Sequence, residues 1–422
     1  MSSPPVENSA LSTSQRHCHL LLTLFLSASS TSLETLSQLN GVNHSVTQQD
    51  LIEVASAIQR YHRLKLTCCP AGLYRVEGET LDRRLCLVYW LRRALRLSPT
   101  FIEHHFAPAI RLQLQASPIA PSLYDEIKLH QLLTQCALKL SREFSERDGQ
   151  FLRLFMQHIL CNRCCTPFTP SQRVWLTARI EHQVADEMMS QWWQDSGLIS
   201  EPGDVLLFAL LFSQMHIPSV DEAQHEHERA LLHAVKELIV RFQSFSGMRF
   251  SNKEGICNQL YTHLAQAMER CLFGIGIDNT LTEEVGRLYP KLLRTTQKAL
   301  AGFEQRYCLT FSPEEVGLIT VIFGAWLMQE SVLQEKQVLL LTDGNPALEQ
   351  QIEQQLRELT LMPLNIKYLE VGEYQRSSAP KGISLVVTPY ATPLPLYSPP
   401  LIHAELPLQP HQQQRIRQLL ES

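Results

Sequence analysis

Four groups of residues in the chain carry types and spacings that could do chemistry. Cys161-x-x-Cys164-Cys165, with His158 three residues before, offers thiolate and imidazole donors of the kind that hold zinc. A zinc site needs four tetrahedral donors, and no second cluster stands at matching spacing, so thiols packed at a helix end are the expectation. The run from Gln224-His225-Glu226-His227 to His233 is as rich in ligand types, but it lies in a polar stretch and reads as a solvated linker. Paired carboxylates at Glu283-Glu284 and Glu314-Glu315 stand where helices start, so they are read as complements to the helix dipole. The fourth group centres on His263, in Leu260-Tyr261-Thr262-His263-Leu264-Ala265-Gln266-Ala267-Met268-Glu269-Arg270. Leu260, Leu264, Ala267 and Cys271 form an apolar stripe, and His263 sits one step from it. A histidine at such a boundary can act as a reversible charge switch, or can be a satisfied structural residue.

Other chemistries find no support. The chain has no G-x-S-x-G, no GxxxxGK[ST] and no G-x-G-x-x-G following a strand. Gly344 is a lone glycine after an apolar run, too little for an anion cradle. The expectation is a protein that is not an enzyme and holds no metal or cofactor.

Composition limits the classes further. Of 422 residues, 44% are apolar and 19% charged, close to a soluble globular average. The net charge of −5 argues against polyanion binding by the whole chain. Residues 1–100, however, carry 10 Lys/Arg against 7 Asp/Glu, so only the N-terminal quarter is basic. The apolar run Val205 to Phe212 is too short to span a bilayer. Leu20–Leu26 followed by Ser27–Ser30 looks like a signal peptide only superficially, since the run is short and its leader carries Glu7. Eleven cysteines without regular spacing suit free thiols in apolar contexts and a cytoplasmic location.

The elements that would position these residues follow from periodicity. Residues 1–14 read as a disordered leader. Helices are expected over Gln15–Leu26, from Ser32 or Thr31 to Asn40-Gly41, and over about Ser45–Arg60. A hairpin then turns at Pro70-Ala71-Gly72. This order fits a winged helix-turn-helix over 15–80, and equally a small helical domain with no nucleic-acid role. Connecting helices over 81–124 begin with the stripe Leu81-Leu85-Val88-Leu91-Leu95. That helix bears Arg83, Arg84, Arg92, Arg93 and Arg96, a face either solvated or paired with acids. Residues 101–330 read as successive helices, split near Ser219-Val220-Asp221 into two modules. After Glu330 the pattern becomes β–α–β–β–α. The fold class is therefore mainly α with a small α/β tail.

The motif residues carry a resemblance. Leu260-Tyr261-Thr262-His263-Leu264, Arg270, Ile277-Asp278-Asn279-Thr280 and Tyr289-Pro290 resemble the phosphotransferase-system regulation domain (PRD), and Glu315 to Ala325 is similar to its closing helix. The likeness spans 232–330, with a diverged copy over 125–220. The helix-turn-helix and wing (Gly72 to Gly78) are similar to those of such regulators. Residues 335–422 resemble their IIB-type module.

The resemblance implies two five-helix PRD bundles and a regulator of transcription or an antiterminator, acting in stationary phase or under carbon limitation. Its implied partners are DNA, phosphotransferase-system proteins and a second copy of the chain. His263 is the implied phosphorylation site, supported by the motif residues Arg270, Asn279, Tyr289 and Pro290. The implied nucleic-acid residues are His44, Gln48, Gln49, Arg60 and Arg75. Other family positions are altered: second histidines fall at Ile322 and Leu211, and an earlier one at Met156, two residues from His158. The IIB cysteine falls at Leu341 or Thr342, and no Cys follows Cys308. The recognition helix has no Arg or Lys before Arg60, which weakens the DNA expectation and leaves a protein-interaction module as the alternative.

Overall fold

The computed structural model describes residues 11–26, 31–194, 196, 199–223, 226–277, 281–329, 334–393 and 398–421. The chain is mainly helical with a small parallel sheet near its C-terminus, and it forms two compact units. The first comprises residues 1–216 and 272–276, the second 217–271 and 277–422.

The first unit opens with α1 (Thr13–Leu26), which begins earlier than the expected leader allows. Ser12 and Gln15 explain this: the Ser12 Oγ accepts the Gln15 N–H at 3.3 Å, and the Gln15 Oε1 accepts the Ser12 N–H at 2.9 Å, a reciprocal cap. Residues 1–10 lie outside the described residues. β1 (Thr31–Ser32), α2 (Leu33–Asn40) and α3 (His44–His62) follow. Gly41 ends α2 in the left-handed region at φ 64°. Asn43 then caps α3, its side chain accepting the Val46 N–H at 2.9 Å. β2 (Lys65–Cys68) and β3 (Leu73–Glu77) pair antiparallel, Lys65 opposite Glu77, and β1 adds to β3 to give the order β1-β3-β2. Alternation places Lys65, Thr67, Arg75 and Glu77 on one face, with Val76 buried on the other.

Next come α4 (Thr80–Leu97), α5 (Pro99–Phe101), a π-helical turn over Ile102–Phe106 and α6 (Ala107–Gln115). α7 (Glu126–Lys139), α8 (Glu146–Cys161), α9 (Pro170–Thr177), α10 (Ile180–Trp193) and α11 (Asp204–Gln214) complete the unit. One apolar core joins Cys18 and Leu21 of α1 to Leu85 and Leu91 of α4 and to Phe155 and Phe208. The expected stripe of α4 is buried, but so are Cys86, Leu87, Trp90 and Ala94. α4 is thus a central strut, and its arginines are divided. Arg84 is buried on Asp204, Arg92 lies 3.4 Å from Asp148, Arg93 donates to the Tyr89 hydroxyl, and Arg83 and Arg96 are exposed.

The second unit holds α12 (Glu226–Ser246), α13 (Lys253–Phe273, all but its last two residues), α14 (Leu281–Leu288), α15 (Pro290–Tyr307) and α16 (Pro313–Gln329). The expected solvated linker is corrected here: from Glu226 the chain is already helical, because Leu231, Ala234, Val235 and Leu238 give it a buried stripe. His225 and Gln224 lie outside the described residues. Phe242 of α12 stacks on Phe323 of α16 with centroids 3.9 Å apart and planes at 2°, and Phe250 flanks both.

β4 (Lys336–Thr342), α17 (Pro346–Leu359), β5 (Leu364–Glu370), α18 (Val371–Ser377), β6 (Leu385–Thr388), β7 (Leu401–His403) and α19 (Pro410–Glu421) close the chain. The strands are all parallel in the order β5-β4-β6-β7. Along β4, Val338 and Leu340 pack with Ile352, Leu356 and Ile416 of α17 and α19, while Leu339 and Leu341 pack with Tyr374 of α18. Both faces are covered, which is why the strand reads as an unbroken apolar run. The β–α–β–β–α expectation missed α18 and β7: α18 has a single buried anchor, Tyr374, and shows no periodic stripe.

The expectation of thiols in apolar contexts holds for part of the set. Cys18, Cys86, Cys136 and Cys257 are buried, but Cys68, Cys164, Cys165 and Cys308 are exposed. Burial pushes the Cys18 thiol up to about 11 and Cys136 to about 12. Titration of native protein with an aromatic disulfide at pH 8 is therefore expected to consume the four exposed thiols first, and all eleven only after unfolding. Equal rates for all thiols in the native protein would contradict this packing.

Candidate functional site

α13 places His263 where its stripe predicts. Leu260, Leu264 and Ala267 are fully buried, and the His263 side chain is 16% exposed. Arg270 lies two turns further along the same face, 21% exposed. Between them stands a residue from α16, Glu315, 5% exposed. Its backbone is fixed locally. Ser312 precedes the helix and its Oγ accepts the Glu315 N–H at 3.2 Å. In a capping box the Glu315 carboxylate would turn back to its own helix start. Here it reaches α13 instead.

Arg270 grips that carboxylate with two donors, Nε to Oε1 at 2.5 Å and Nη2 to Oε2 at 3.1 Å. His263 Nε2 lies 3.2 Å from Oε2 of the same group. The imidazole nitrogen is buried and lacks a well-formed hydrogen bond, so the two groups are in close polar contact. Burial alone would raise the Glu315 carboxyl. His263 and then Arg270 outweigh it and hold the group below its ordinary range. The arrangement is an imidazole, a carboxylate and a guanidinium in contact across two helices, with one anion shared between two potential cations. Sequence reasoning missed Glu315, reading it as a helix-start carboxylate. Ser312-x-x-Glu315 was its one local signal, and that signal points to the wrong partner.

Tyr289 and Pro290 do a different job. The Tyr289 N–H bonds the Val285 carbonyl at 2.8 Å, and Pro290 begins α15 where no backbone donor is needed. Asn279 lies outside the described residues. Ile322, Leu211 and Met156, at the family's other histidine positions, are buried apolar residues.

His158 is buried, its Nε2 3.0 Å from the Phe25 carbonyl and 3.2 Å from the Asn162 amide. α8 ends at Cys161, so Cys165 is not on its face, and Cys164 and Cys165 are exposed in the following loop rather than packed as core thiols. No group of three or more metal-ligating side chains exists among the described residues.

The nucleic-acid candidates occupy α3 and the hairpin. His44 is exposed, with Nε2 2.7 Å from Glu34 Oε2. Gln48 is exposed, and Gln49 donates to Glu53 at 3.0 Å. Arg60 lies over the Tyr61 ring at 5.3 Å, and Arg75 pairs with Glu77 at 2.5 Å. Among the described residues no helix is long and apolar enough to cross a membrane.

Comparison with known proteins agrees with the resemblance drawn from the motif residues. Residues 236–326, which hold the His263–Glu315–Arg270 cluster, match the PRD domain family. The chain is thus a PRD-containing protein. Residues 336–420 match the C-terminal domain of stationary phase-inducible protein CsiE. Over 417 residues the chain is 48% identical to the stationary phase-inducible protein CsiE of Escherichia coli (strain K12), covering 98% of each, and it belongs to that protein's family. It is also 21% identical over 325 residues to the transcriptional regulator ManR of Bacillus subtilis (strain 168). That alignment takes in 74% of this chain and 46% of the regulator's length.

Proposed function

We propose that this chain is a cytoplasmic regulator of transcription that acts in stationary phase or under carbon limitation, with His263 as its phosphoryl acceptor. The observation that carries the reading is the placement of His263, half-buried at the edge of the α13 apolar stripe, beside a carboxylate and a guanidinium, within the segment matching the PRD family. The relative's name supports the stationary-phase setting. The phosphoryl group would come from a phosphohistidine of a phosphotransferase-system protein. With the His263 ring neutral and its proton on Nδ1, the Nε2 lone pair attacks phosphorus, the donor's N–P bond breaks, and its electron pair returns to the donor nitrogen.

On this reading residues 15–80 are a winged helix-turn-helix. α3 serves as recognition helix, and β2 and β3 form the wing. Residues 81–124 connect it to a diverged first PRD over 125–220. The second PRD covers 232–330, residues 335–422 are a degenerate IIB-like module, and the chain pairs as a homodimer. Reconstituted phosphoenolpyruvate-driven carriers are expected to label the wild type and not His263→Gln. Equal labelling of the two proteins rejects the assignment.

A second reading has its own support. The outward face of α3 has no Lys or Arg before Arg60, and His44, Gln49 and Arg75 are each engaged with a carboxylate. Each missing phosphate contact lowers nucleic-acid affinity for all sequences alike. A chain of this kind fits a protein-interaction module that has shed DNA binding. Selection from fragmented genomic DNA at low salt separates the two. Enrichment of particular fragments, lost steeply with added salt, favours the regulator that touches DNA. No enrichment favours the interaction module.

A further inference from the structure

An imidazole that accepts a phosphoryl group must present a nitrogen to its donor, yet His263 Nε2 is buried and faces the Glu315 carboxylate at 3.2 Å. A group transferred to that nitrogen would bring a charge of roughly −1.5 to −2 against a carboxylate already in place. The two anions cannot share the pocket, since like charges this close are strongly disfavoured where water is scarce. The Arg270 fork that now binds both Glu315 oxygens is the geometry best suited to phosphate oxygens as well. Resting on the His263 reading above, we infer that Glu315 is a resident anion occupying the phosphoryl position. Arg270 is then the positioning cation that passes from the carboxylate to the phosphoryl group when His263 is modified.

The exchange has a structural consequence. Glu315 is the third residue of α16, and Arg270 belongs to α13, so their contact ties the first turn of one helix to the other. Modification would untie it. The link is electrostatic and sits in the first turn of the helix, beside the Ser312 cap. A charge added to one ring thus becomes freedom, or a new position, for the start of α16.

The test uses full-length protein and potassium phosphoramidate, which phosphorylates imidazoles without any carrier protein. The His263 Nε2 lone pair attacks phosphorus, the P–N bond of the reagent breaks, and ammonia leaves with the bonding pair. Glu315→Gln keeps the side-chain size and removes the resident charge. It is expected to raise the rate of His263 labelling about tenfold, read by peptide mass spectrometry.

Arg270→Ala is expected to shorten the lifetime of the phosphorylated form about tenfold, with Arg270→Lys between it and wild type. A variant that merely loosened the fold would alter labelling at other histidines too, so the ratio of His263 to His233 labelling is the readout. Wild-type protein supplies a check free of substitution: after labelling, amide hydrogen exchange is expected to rise over residues 312–318. Wild-type labelling rates in Glu315→Gln overturn the proposal, as do unchanged lifetimes in Arg270→Ala or unchanged exchange at the start of α16. The failures are separable. Labelling by phosphoramidate but not by the carrier proteins would reject the phosphotransferase reading and leave the anion exchange standing.

Discussion

Arg84→Ala is expected to destabilise the first unit by about 3–5 kcal/mol, the cost of removing one partner from a buried ion pair. The Arg84 side chain is 8% exposed and that of Asp204 1%, with Nη1 2.8 Å from Oδ1. Arg84 also donates Nη2 to the Cys164 carbonyl at 3.0 Å, so one guanidinium joins α4, the start of α11 and the loop after α8. Burial pushes the Asp204 carboxyl up, and its contacts with Arg84 only partly offset this. Without Arg84 the carboxyl would rise further. A folded-state value above the unfolded one means that protonation favours the fold, so the deficit of Arg84→Ala is expected to shrink as pH falls toward the carboxylate range. Urea unfolding at pH 7.5 and at pH 5 reads both effects. The double variant Arg84→Met, Asp204→Leu should recover most of the loss, because an apolar pair of similar volume avoids the desolvation cost. A single variant as stable as wild type at neutral pH would show that the pair is not held in the interior.

Arg84 also marks where sequence reading stops. Five arginines on α4 look alike along the chain, and the choice of which one is buried depends on Asp204, 120 residues away. The helices α1 to α4, the hairpin and β4 were legible because their information is local: apolar period, caps and turn residues. α18 and β7 were not, being too short to display a period. The start of α12 was lost because its acidic and histidine-rich first turn outweighed the stripe that begins at Leu231.

The candidate cluster divides along the same line. His263 and Arg270 lie seven residues apart on one helix, so spacing places them on one face. Glu315 comes from another helix, 45 residues beyond Arg270, and its local context suggests a cap. The member that couples the two others was the one that only tertiary structure could supply. On the proposed reading, gene-regulatory use of the cluster would depend on that coupling. An isolated imidazole would titrate or accept a group with no mechanical effect, whereas one bound to a helix start through a shared anion cannot change charge without disturbing it.

The first unit holds the opposite case, a histidine near a family position but built into the interior, and it carries the second large prediction. His158 has its Nε2 on the Phe25 carbonyl at 3.0 Å, a bond that links α8 to α1. Burial pushes its imidazole down from 6.5 to about 4. The Phe25 carbonyl opposes this, while Arg84 and Arg83 add to it. A lowered folded-state value means that the unfolded chain takes the proton more readily. The stabilisation from keeping His158 neutral is therefore complete above pH 6.5 and lost as pH falls toward about 4. The difference corresponds to about 3 kcal/mol across that window. Urea midpoints measured from pH 8 to pH 4.5 should fall more steeply for wild type than for His158→Gln, which cannot gain a proton there. Parallel curves would mean that the ring is hydrated and free to charge. Its environment also bears on function: the His158 ring lies in the core with Nε2 tied to a backbone carbonyl, out of reach of a phosphoryl donor. His158 is accordingly expected to stay unlabelled when His263→Gln is exposed to the carrier proteins.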